Sequence, residues 1–366
     1  MIKVLYLRSS FDPGGTESLL LNLYNYPQKE IQFHYAFLKD GSLISRLNSV
    51  TNRYYKLFRR KRIDFQVIKK LARLVRDNNI HIVHTHQLFE LFYAVVLKIR
   101  YPHVKLFHTI HGYHDVHSRW AEILEQLLIR FTHRTFTVSR SSREELKKKG
   151  YPSQRMDVLY NAVKPPVAAS KKQLEWFKKK IKYQENDFII GMIGNFVWWK
   201  DQMTLVKAYN LLKEEIPDLK IVFIGRESEF SEKCKKEVNP EDLNNRVFSP
   251  GAIENASGYL SLFNLFVMST LMDTFGIVVI EALMSRIPVL ASDIPVMREL
   301  SCNAKHFELF ESQNPKSLAK KIKNNYCNND NYKEETYVYV HFNYSYENYL
   351  NQLIQLYDCN EHNSPN

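Results

Sequence analysis

The chain contains no apolar run near the roughly 18 to 20 residues that a helical membrane span requires. Its longest candidates, Leu91–Leu97 and Phe275–Ile280, are the size of a strand or a short helix. The opening segment Met1-Ile-Lys-Val-Leu-Tyr-Leu-Arg8 lacks the apolar core and small-residue cleavage site of a signal peptide, and reads as a first strand. Cysteine is scarce. Cys234, Cys302, Cys327 and Cys359 are scattered with neither pairing nor metal-ligand spacing, which argues against a disulfide framework and a zinc module. A reduced, cytoplasmic protein is expected. There is also no G-x-G-x-x-G: the second half offers only Gly191 and Gly194, in a strand and at its end, which weighs against nicotinamide or flavin binding.

What is present sets the size and charge of the molecule. With 366 residues, 45% of them apolar, the chain is long enough for two domains of ordinary size. Its charge is uneven: residues 1–165 carry a net +15 and the remainder −3, within a total of +12. The densest run is Arg53-Tyr-Tyr-Lys-Leu-Phe-Arg-Arg-Lys-Arg62, followed by Lys69, Lys70, Arg73 and Arg76. Aromatics interleaved with cations suit an anionic bilayer surface, so residues 53–76 are a candidate membrane contact. The alternative is a solvated helix face, with Phe65, Ile68, Leu71, Ala72 and Val75 packing inward at helical spacing. Nucleic acid is not expected as a partner.

The first half alternates strands (Ile2–Leu7, Phe33–Leu38, His81–His84, Lys105–Thr109, Thr135–Val138) with helical patterns at Ser18–Asn25, Leu88–Ile99 and Ala121–Phe131. That alternation predicts a parallel, doubly wound sheet. Asn161-Ala-Val-Lys-Pro165-Pro166 breaks any element, and the basic helix Lys171–Lys182 leads onward. The grammar then restarts with strand Phe188–Ile193, helix Gln202–Glu215 and strands Lys220–Ile224, Asn264–Met268 and Val289–Ala291. The expected fold class is α/β, with two Rossmann-like doubly wound domains facing each other across a cleft, over 1–165 and 166–343. A last helical pattern, Tyr344–Leu356, is apolar at Tyr346, Leu350, Ile354 and Leu356, and residues 359–366 form a polar tail.

The richest stretch is Asp273-Thr-Phe-Gly-Ile-Val-Val-Ile-Glu281, which sets two carboxylates around Gly276 where a strand crosses to a helix. Bare backbone N–H groups at such a crossing make an anion site. The two acids must then hold something bearing hydroxyls, such as a ribose and a sugar. Gly14-Gly15 sits between the first strand and helix, where amides can approach a diphosphate, although ordinary turns use the same doublet. Lys200 follows the first strand of the second half. A lone loop lysine is commonly just solvated, but the repeated architecture and the Gly-Gly loop favour a diphosphate partner. His108, His111, His114 and His117 recur every three residues, yet they fall on a strand running into a loop and share no helical face, so no metal is expected. His111, beside Gly112 at a strand's carboxyl end, is placed to bond a sugar or phosphate, whereas His84 and His86 read as structural.

Taken in order, Gly14-Gly15-Thr-Glu17, Val83-His-Thr-His86, Thr109-Ile-His111-Gly112, Val138-Ser139, Val158-Leu-Tyr-Asn161, Gly194…Lys200, Val222-Phe-Ile-Gly225 and Asp273…Glu281…Pro288…Asp293 resemble the retaining glycosyltransferases of family 4 over residues 1–299. The resemblance implies the GT-B fold, a nucleotide-sugar donor, no metal or cofactor, and a C-terminal helix, here within 344–358, crossing back to the first domain. It also implies roles. Glu281 would hold the ribose hydroxyls and Asp273 the donor sugar. Amides of Phe275, Gly276, Ile277 and Gly15 would cradle phosphate and sugar. Lys200 would pair with the diphosphate, and His111 would touch the sugar near the acceptor. Gly14 and Asn195 complete the candidate donor site.

Three departures from the family pattern stand out: Asn195 where an arginine is usual, Asp273 in place of glutamate, and Ala162 where glycine often follows the asparagine. Losing the arginine removes a bidentate phosphate clamp, which Lys200 with the loop amides, or a second cation such as Arg226, would have to replace. The expected activity is metal-independent transfer of a hexose to a lipid-linked or cell-envelope glycan, by an enzyme peripheral on the inner face of the membrane. The alternatives are a degenerate nucleotide-sugar-binding scaffold, or an epimerase or phosphorylase on the same fold.

Overall fold

The computed structural model describes residues 1–61, 63–112, 119–302, 304–327 and 334–358. Arg62 of the basic run, His114, His117, Cys359 and the polar tail lie outside the described residues. The chain divides into two compact units, one formed by residues 1–162 with 346–366 and the other by residues 163–345.

The first unit holds a seven-stranded sheet: β1 (Ile2–Arg8), β2 (Ile31–Phe37), β3 (Arg53–Lys56), β4 (Ile82–Thr85), β5 (Lys105–Ile110), β6 (Arg134–Thr137) and β7 (Met156–Val158). They lie in the order β3-β2-β1-β4-β5-β6-β7, with every pairing parallel. Strands buried on both faces explain the near-continuous apolar runs. The order reverses between β1 and β4, which opens a crevice at their carboxyl ends. The short strands β3 and β7 have no counterpart in the sequence reading, because Arg53-Tyr-Tyr-Lys alternates too little and Met156-Asp-Val is too brief.

Helices cover both faces of this sheet. Phe65–Asp77, Leu88–Arg100 and Arg119–Ile129 share a core with Leu5, Leu7, Val83 and Leu106. Within Phe65–Asp77 the buried residues are Val67, Leu71, Leu74 and Val75, while Phe65 is exposed and Ile68 and Ala72 are half-buried. Of the expected Phe65–Ile68–Leu71–Ala72–Val75 set, four pack against the core and only Phe65 faces outward. Asp64 caps the helix by accepting from Gln66 N at 2.9 Å. Lys69, Lys70, Arg73 and Arg76 are all exposed.

The opposite face receives Gly15–Asn25 and the last helix, Tyr346–Asp358. The latter buries Tyr346, Tyr349, Leu350, Leu353 and Tyr357, whereas Ile354 and Leu356 are only partly buried. A buried relay secures it. Tyr357 Oη lies 2.5 Å from His84 Nδ1 and 3.1 Å from Tyr6 Oη, and His84 Nε2 lies 2.7 Å from Thr109 Oγ1.

The second unit repeats the plan with β8 (Phe188–Ile193), β9 (Leu219–Ile224), β10 (Val247–Gly251), β11 (Leu265–Met268), β12 (Val289–Ser292) and β13 (Phe307–Phe310). The order is β10-β9-β8-β11-β12-β13, again wholly parallel, with the reversal between β8 and β11. Gly191 is a packing residue, since a Cβ there would strike the Phe263 ring at 2.0 Å. Among the described residues no helix is long and apolar enough to cross a membrane.

Replacing Tyr357 by Phe strands the buried His84 Nδ1 at a cost of about 1–3 kcal/mol. Hydrogen–deuterium exchange of the Tyr346–Asp358 amides is expected to speed up by about tenfold or more, while the 163–345 unit stays unchanged. Unchanged protection of the helix would show that apolar burial alone secures it.

Candidate active site

The second unit presents its ligand-binding chemistry where β8 and β11 end. The loop after β8 closes with the turn Trp198–Lys200 and reaches Asp201, which adopts a left-handed conformation (φ 48°) and caps helix Gln202–Leu212 through Thr204. The loop after β11 is tied directly to it. Ser269 Oγ donates to Asp201 O at 2.7 Å, Thr270 Oγ1 to Trp199 O at 2.9 Å, and Leu271 N to the same Trp199 carbonyl at 2.7 Å. These bonds set Lys200 against Asp273, with Nζ donating to Oδ2 at 2.7 Å in a half-buried ion pair.

Asp273 folds back on its own loop, where Oδ1 accepts from Thr274 N at 2.8 Å and Phe275 N at 3.3 Å. Burial pushes its carboxyl up, but the Lys200 ammonium and the two amides outweigh that, and the group sits below the usual carboxylate range. Phe275 N–H is thus already committed to Asp273, and its buried side chain packs edge-on against Tyr344. Gly276 caps helix Ile277–Met284 with no side-chain hydrogen bond, at a helix head where backbone N–H groups point outward. Gly276 takes φ 86°, which only glycine adopts readily, and a Cβ there would meet Met297 Cε at 3.0 Å.

Glu281 projects from the same helix one turn further on. Ser257 Oγ donates to its Oε2 at 2.6 Å. Burial raises its pKa, and the single hydroxyl only partly opposes that shift. Asn195 is exposed and bonded locally: its Oδ1 accepts from Arg226 N at 3.0 Å, and its carbonyl accepts from Gln202 Nε2 at 3.0 Å. The loops after β8 and β9 cross so closely that a Cβ on Gly225 would stand 2.1 Å from Gly194 O. Lys200, Asp273, Gly276, Ile277, Glu281 and Asn195 therefore all belong to this unit.

Gly14, Gly15 and His111 belong to the first unit. Gly14 caps helix Gly15–Asn25 without a side-chain bond, and a Cβ there would press on Glu17 Oε2 at 2.5 Å. Glu17 is held beneath the loop by an ion pair with buried Arg8, whose Nη1 also lies 3.6 Å from Glu90 Oε2. Glu90 accepts from Ser9 N at 2.6 Å and His86 N at 2.8 Å, and so staples the ends of β1 and β4 together. Burial raises its pKa against the pull of Arg8. His111 Nε2 and His86 Nδ1 lie 2.8 Å apart, and burial lowers the His111 pKa to about 3, so its ring is neutral at pH 7. Among the described residues no group of three or more His, Cys, Asp or Glu is arranged to hold a metal ion.

Sequence reasoning missed Ser257, the Ser269-Thr270 tie, and the Arg8–Glu17–Glu90 network. A Ser-Thr pair directly after a strand is a legible hint of a pinned loop. Nothing in the sequence pairs Ser257 with Glu281 or Arg8 with Glu90.

Known proteins share this fold. Residues 174–338 match the family described as Glycosyl transferases group 1, and residues 13–165 match Glycosyltransferase Family 4. The capsular polysaccharide biosynthesis glycosyltransferase CapH of Staphylococcus aureus is 24% identical, covering 88% of this chain and 90% of its own. The Anabaena protein Alr3699/HepE, solved in complex with UDP, superposes with a TM-score of 0.82 at 16% identity over 97% of this chain and 99% of its own. Its complex with UDP-glucose superposes with a TM-score of 0.78 at 17% identity, with the same coverage.

The raised pKa of Glu281 has a consequence for stability. An acid whose folded pKa lies above its unfolded value costs nothing below the unfolded value near 4.5, and the cost grows as pH rises through the folded pKa. Glu281→Gln keeps an acceptor for Ser257 and removes the buried charge. It is expected to raise the melting temperature of the ligand-free protein at pH 7, with the gain vanishing near pH 4.5. A gain that does not depend on pH would overturn this assignment.

Proposed function

The chain belongs to the family 4 glycosyltransferases, built on the GT-B type of paired Rossmann-like folds, and from that premise we propose a retaining, metal-independent hexosyltransferase. It would move a sugar from a nucleoside-diphosphate donor to a hydroxyl of a lipid-linked or cell-envelope glycan. The observation that carries this reading is the Lys200–Asp273 pair, pinned beside the Gly276-capped head of helix Ile277–Met284, which carries Glu281. The UDP and UDP-glucose complexes of the Anabaena structure support a nucleotide-sugar donor, and the capsular relative supports a polysaccharide pathway.

Each residue has a task on this reading. The Glu281 carboxylate accepts from the ribose hydroxyls, and their two donors relieve a buried charge that Ser257 alone satisfies poorly. Asp273 accepts from donor-sugar hydroxyls, while Lys200 and the helix amides face the diphosphate. His111, neutral in the first unit, offers a hydrogen bond near the acceptor without adding charge. The acceptor oxygen attacks the anomeric carbon on the face from which the diphosphate departs. The anomeric C–O bond breaks with its electron pair going to the phosphate, a phosphate oxygen takes the acceptor proton, and the new glycosidic bond keeps the original configuration. Stabilising the departing diphosphate supplies most of the rate. Lys200 is the cation the site offers for that task. Arg226, whose amide Asn195 holds, stands in for the arginine that position 195 lacks. The enzyme would work from the inner face of the membrane, held there in part by the cations of residues 53–76.

A thermal-shift panel of UDP, GDP and ADP and their sugar conjugates, with and without EDTA, tests the donor. A ligand at 100 times its Kd stabilises by about 2.7 kcal/mol, and one nucleotide series is expected to respond regardless of chelator. Silence from every series would favour the scaffold alternative. With a responding donor, Lys200→Ala is expected to lower kcat by about 10²–10³. Arg226→Ala is expected to raise the donor KM by about tenfold, the value of one charge-assisted hydrogen bond. An unchanged donor KM would remove Arg226 from the site. Proton NMR of the first-formed product from an anomerically pure donor decides retention.

A further inference from the structure

The helix Arg119–Ile129 buries Glu125, Leu128 and Ile129 and turns a second, apolar face outward. Its buried residues include Glu125, which accepts from Tyr151 Oη at 2.7 Å and lies 3.6 Å from His108 Nε2. Its outward face is apolar: Trp120 is 81% exposed, Ile123 40%, Leu124 42% and Leu127 49%, with Phe131 at 52% just past the end. At 100° per residue the four helical positions fall within an arc of about 100°, so they form one stripe. Single exposed apolar residues are ordinary on a protein surface, but a continuous stripe marks a contact.

Cations frame the stripe. Arg119 and Arg130 stand exposed at the two ends of the helix. Gln126 Nε2 donates to Lys149 O at 3.1 Å, which brings the run Lys147, Lys148 and Lys149 alongside, with Lys147 paired to Glu144 at 2.8 Å and Lys149 at 3.9 Å from Glu122. The helix shares its core, and thus its side of the sheet, with Phe65–Asp77, which displays Lys69, Lys70 and Arg73. The charge of residues 1–165 is a net +15. That charge opposes pairing with a second copy of the same face and favours an anionic partner.

We infer that helix Arg119–Ile129 is the apolar insertion element by which the chain docks on an anionic lipid bilayer. Trp120, Ile123, Leu124, Leu127 and Phe131 enter the boundary between headgroups and acyl chains, and the surrounding cations meet the headgroups. This moves the centre of the contact from residues 53–76, whose cations attract over distance, to a helix able to hold once contact is made. It rests on the reading that the acceptor is presented at a membrane.

Co-sedimentation of the full chain with phosphatidylcholine vesicles, with and without phosphatidylglycerol, tests the inference. Wild type is expected to bind the anionic vesicles and leave the neutral ones. Trp120→Glu with Leu127→Glu is expected to weaken binding by about tenfold or more. Because both residues are exposed, the melting temperature and its shift with UDP are expected to stay unchanged. Brominated acyl chains are expected to quench tryptophan fluorescence in wild type and to lose that part of the quenching in Trp120→Phe. Three results would overturn the inference: vesicle binding by the double variant equal to wild type, quenching unaltered by Trp120→Phe, or a wild-type dimer in sedimentation velocity that the double variant dissolves. A protein that shifts with UDP but ignores anionic vesicles sinks this inference and leaves the donor reading standing; vesicle binding without any nucleotide shift does the reverse.

Discussion

The candidate site of the second unit depends on a splice between two loops. Strands β8 and β11 are neighbours only because the sheet order reverses there, and their loops would otherwise diverge. Ser269 and Thr270 close the gap by donating to the carbonyls of Asp201 and Trp199. Without those bonds Lys200 and Asp273 would be a pair of surface charges, worth about 1 kcal/mol or less and oriented by nothing. With them, the ammonium and the carboxylate are half-buried, and each is held by backbone that cannot drift. A half-buried pair loses hydration, so it persists only where its geometry is good and its remaining lone pairs are used. The Thr274 and Phe275 amides supply that second condition at Asp273.

The first unit meets the same topological problem with different chemistry. Its switch point between β1 and β4 is joined by a carboxylate, Glu90, which accepts amides from both strand ends while Arg8 stands between it and Glu17. One guanidinium against two carboxylates leaves no free positive charge, and His86 and His111 are held neutral by burial. This edge therefore offers hydrogen bonds without net positive charge, whereas the second unit offers a cation and a helix head.

Much of the fold was legible in the sequence because the strands are buried on both faces and therefore read as apolar runs. Phe188–Ile193 is identical in expectation and structure, and most others differ by a residue or two. The edge strands β3, β7, β10 and β13 escaped because an edge buries less and its pattern fades. On Phe65–Asp77 the spacing read Ile68, Leu71, Ala72 and Val75 as inward and they are; Phe65, on the exposed first turn, is not. At the site, residues whose role follows from chain-local geometry were readable: Gly276 at a strand-to-helix crossing, Lys200 after a first strand. The commitment of Phe275 N–H to Asp273 was not, because it depends on which way a side chain folds over its own loop. Ser257 was invisible for a different reason. It is 24 residues from Glu281, and a serine carries no mark of the partner it will meet.

The two donor-site carboxylates are left in different states, and that difference bears on the order of events. Asp273 is compensated before any ligand arrives, by Lys200 and two amides; Glu281 is not, having only Ser257. A ribose brings hydroxyl donors and no charge, so it relieves Glu281 without disturbing anything else. A diphosphate instead competes with Asp273 for Lys200, and on the proposed reading it draws the ammonium toward itself. Asp273 would then be short of a donor unless sugar hydroxyls replace the lost one. On that reading a nucleoside diphosphate alone would satisfy Glu281 but strip Asp273, and the full nucleotide-sugar would satisfy both. The proposed site would then favour the intact donor over the spent product by the one hydrogen-bond set that disappears when the sugar leaves, and the Lys200–Asp273 pair would re-form as the product departs.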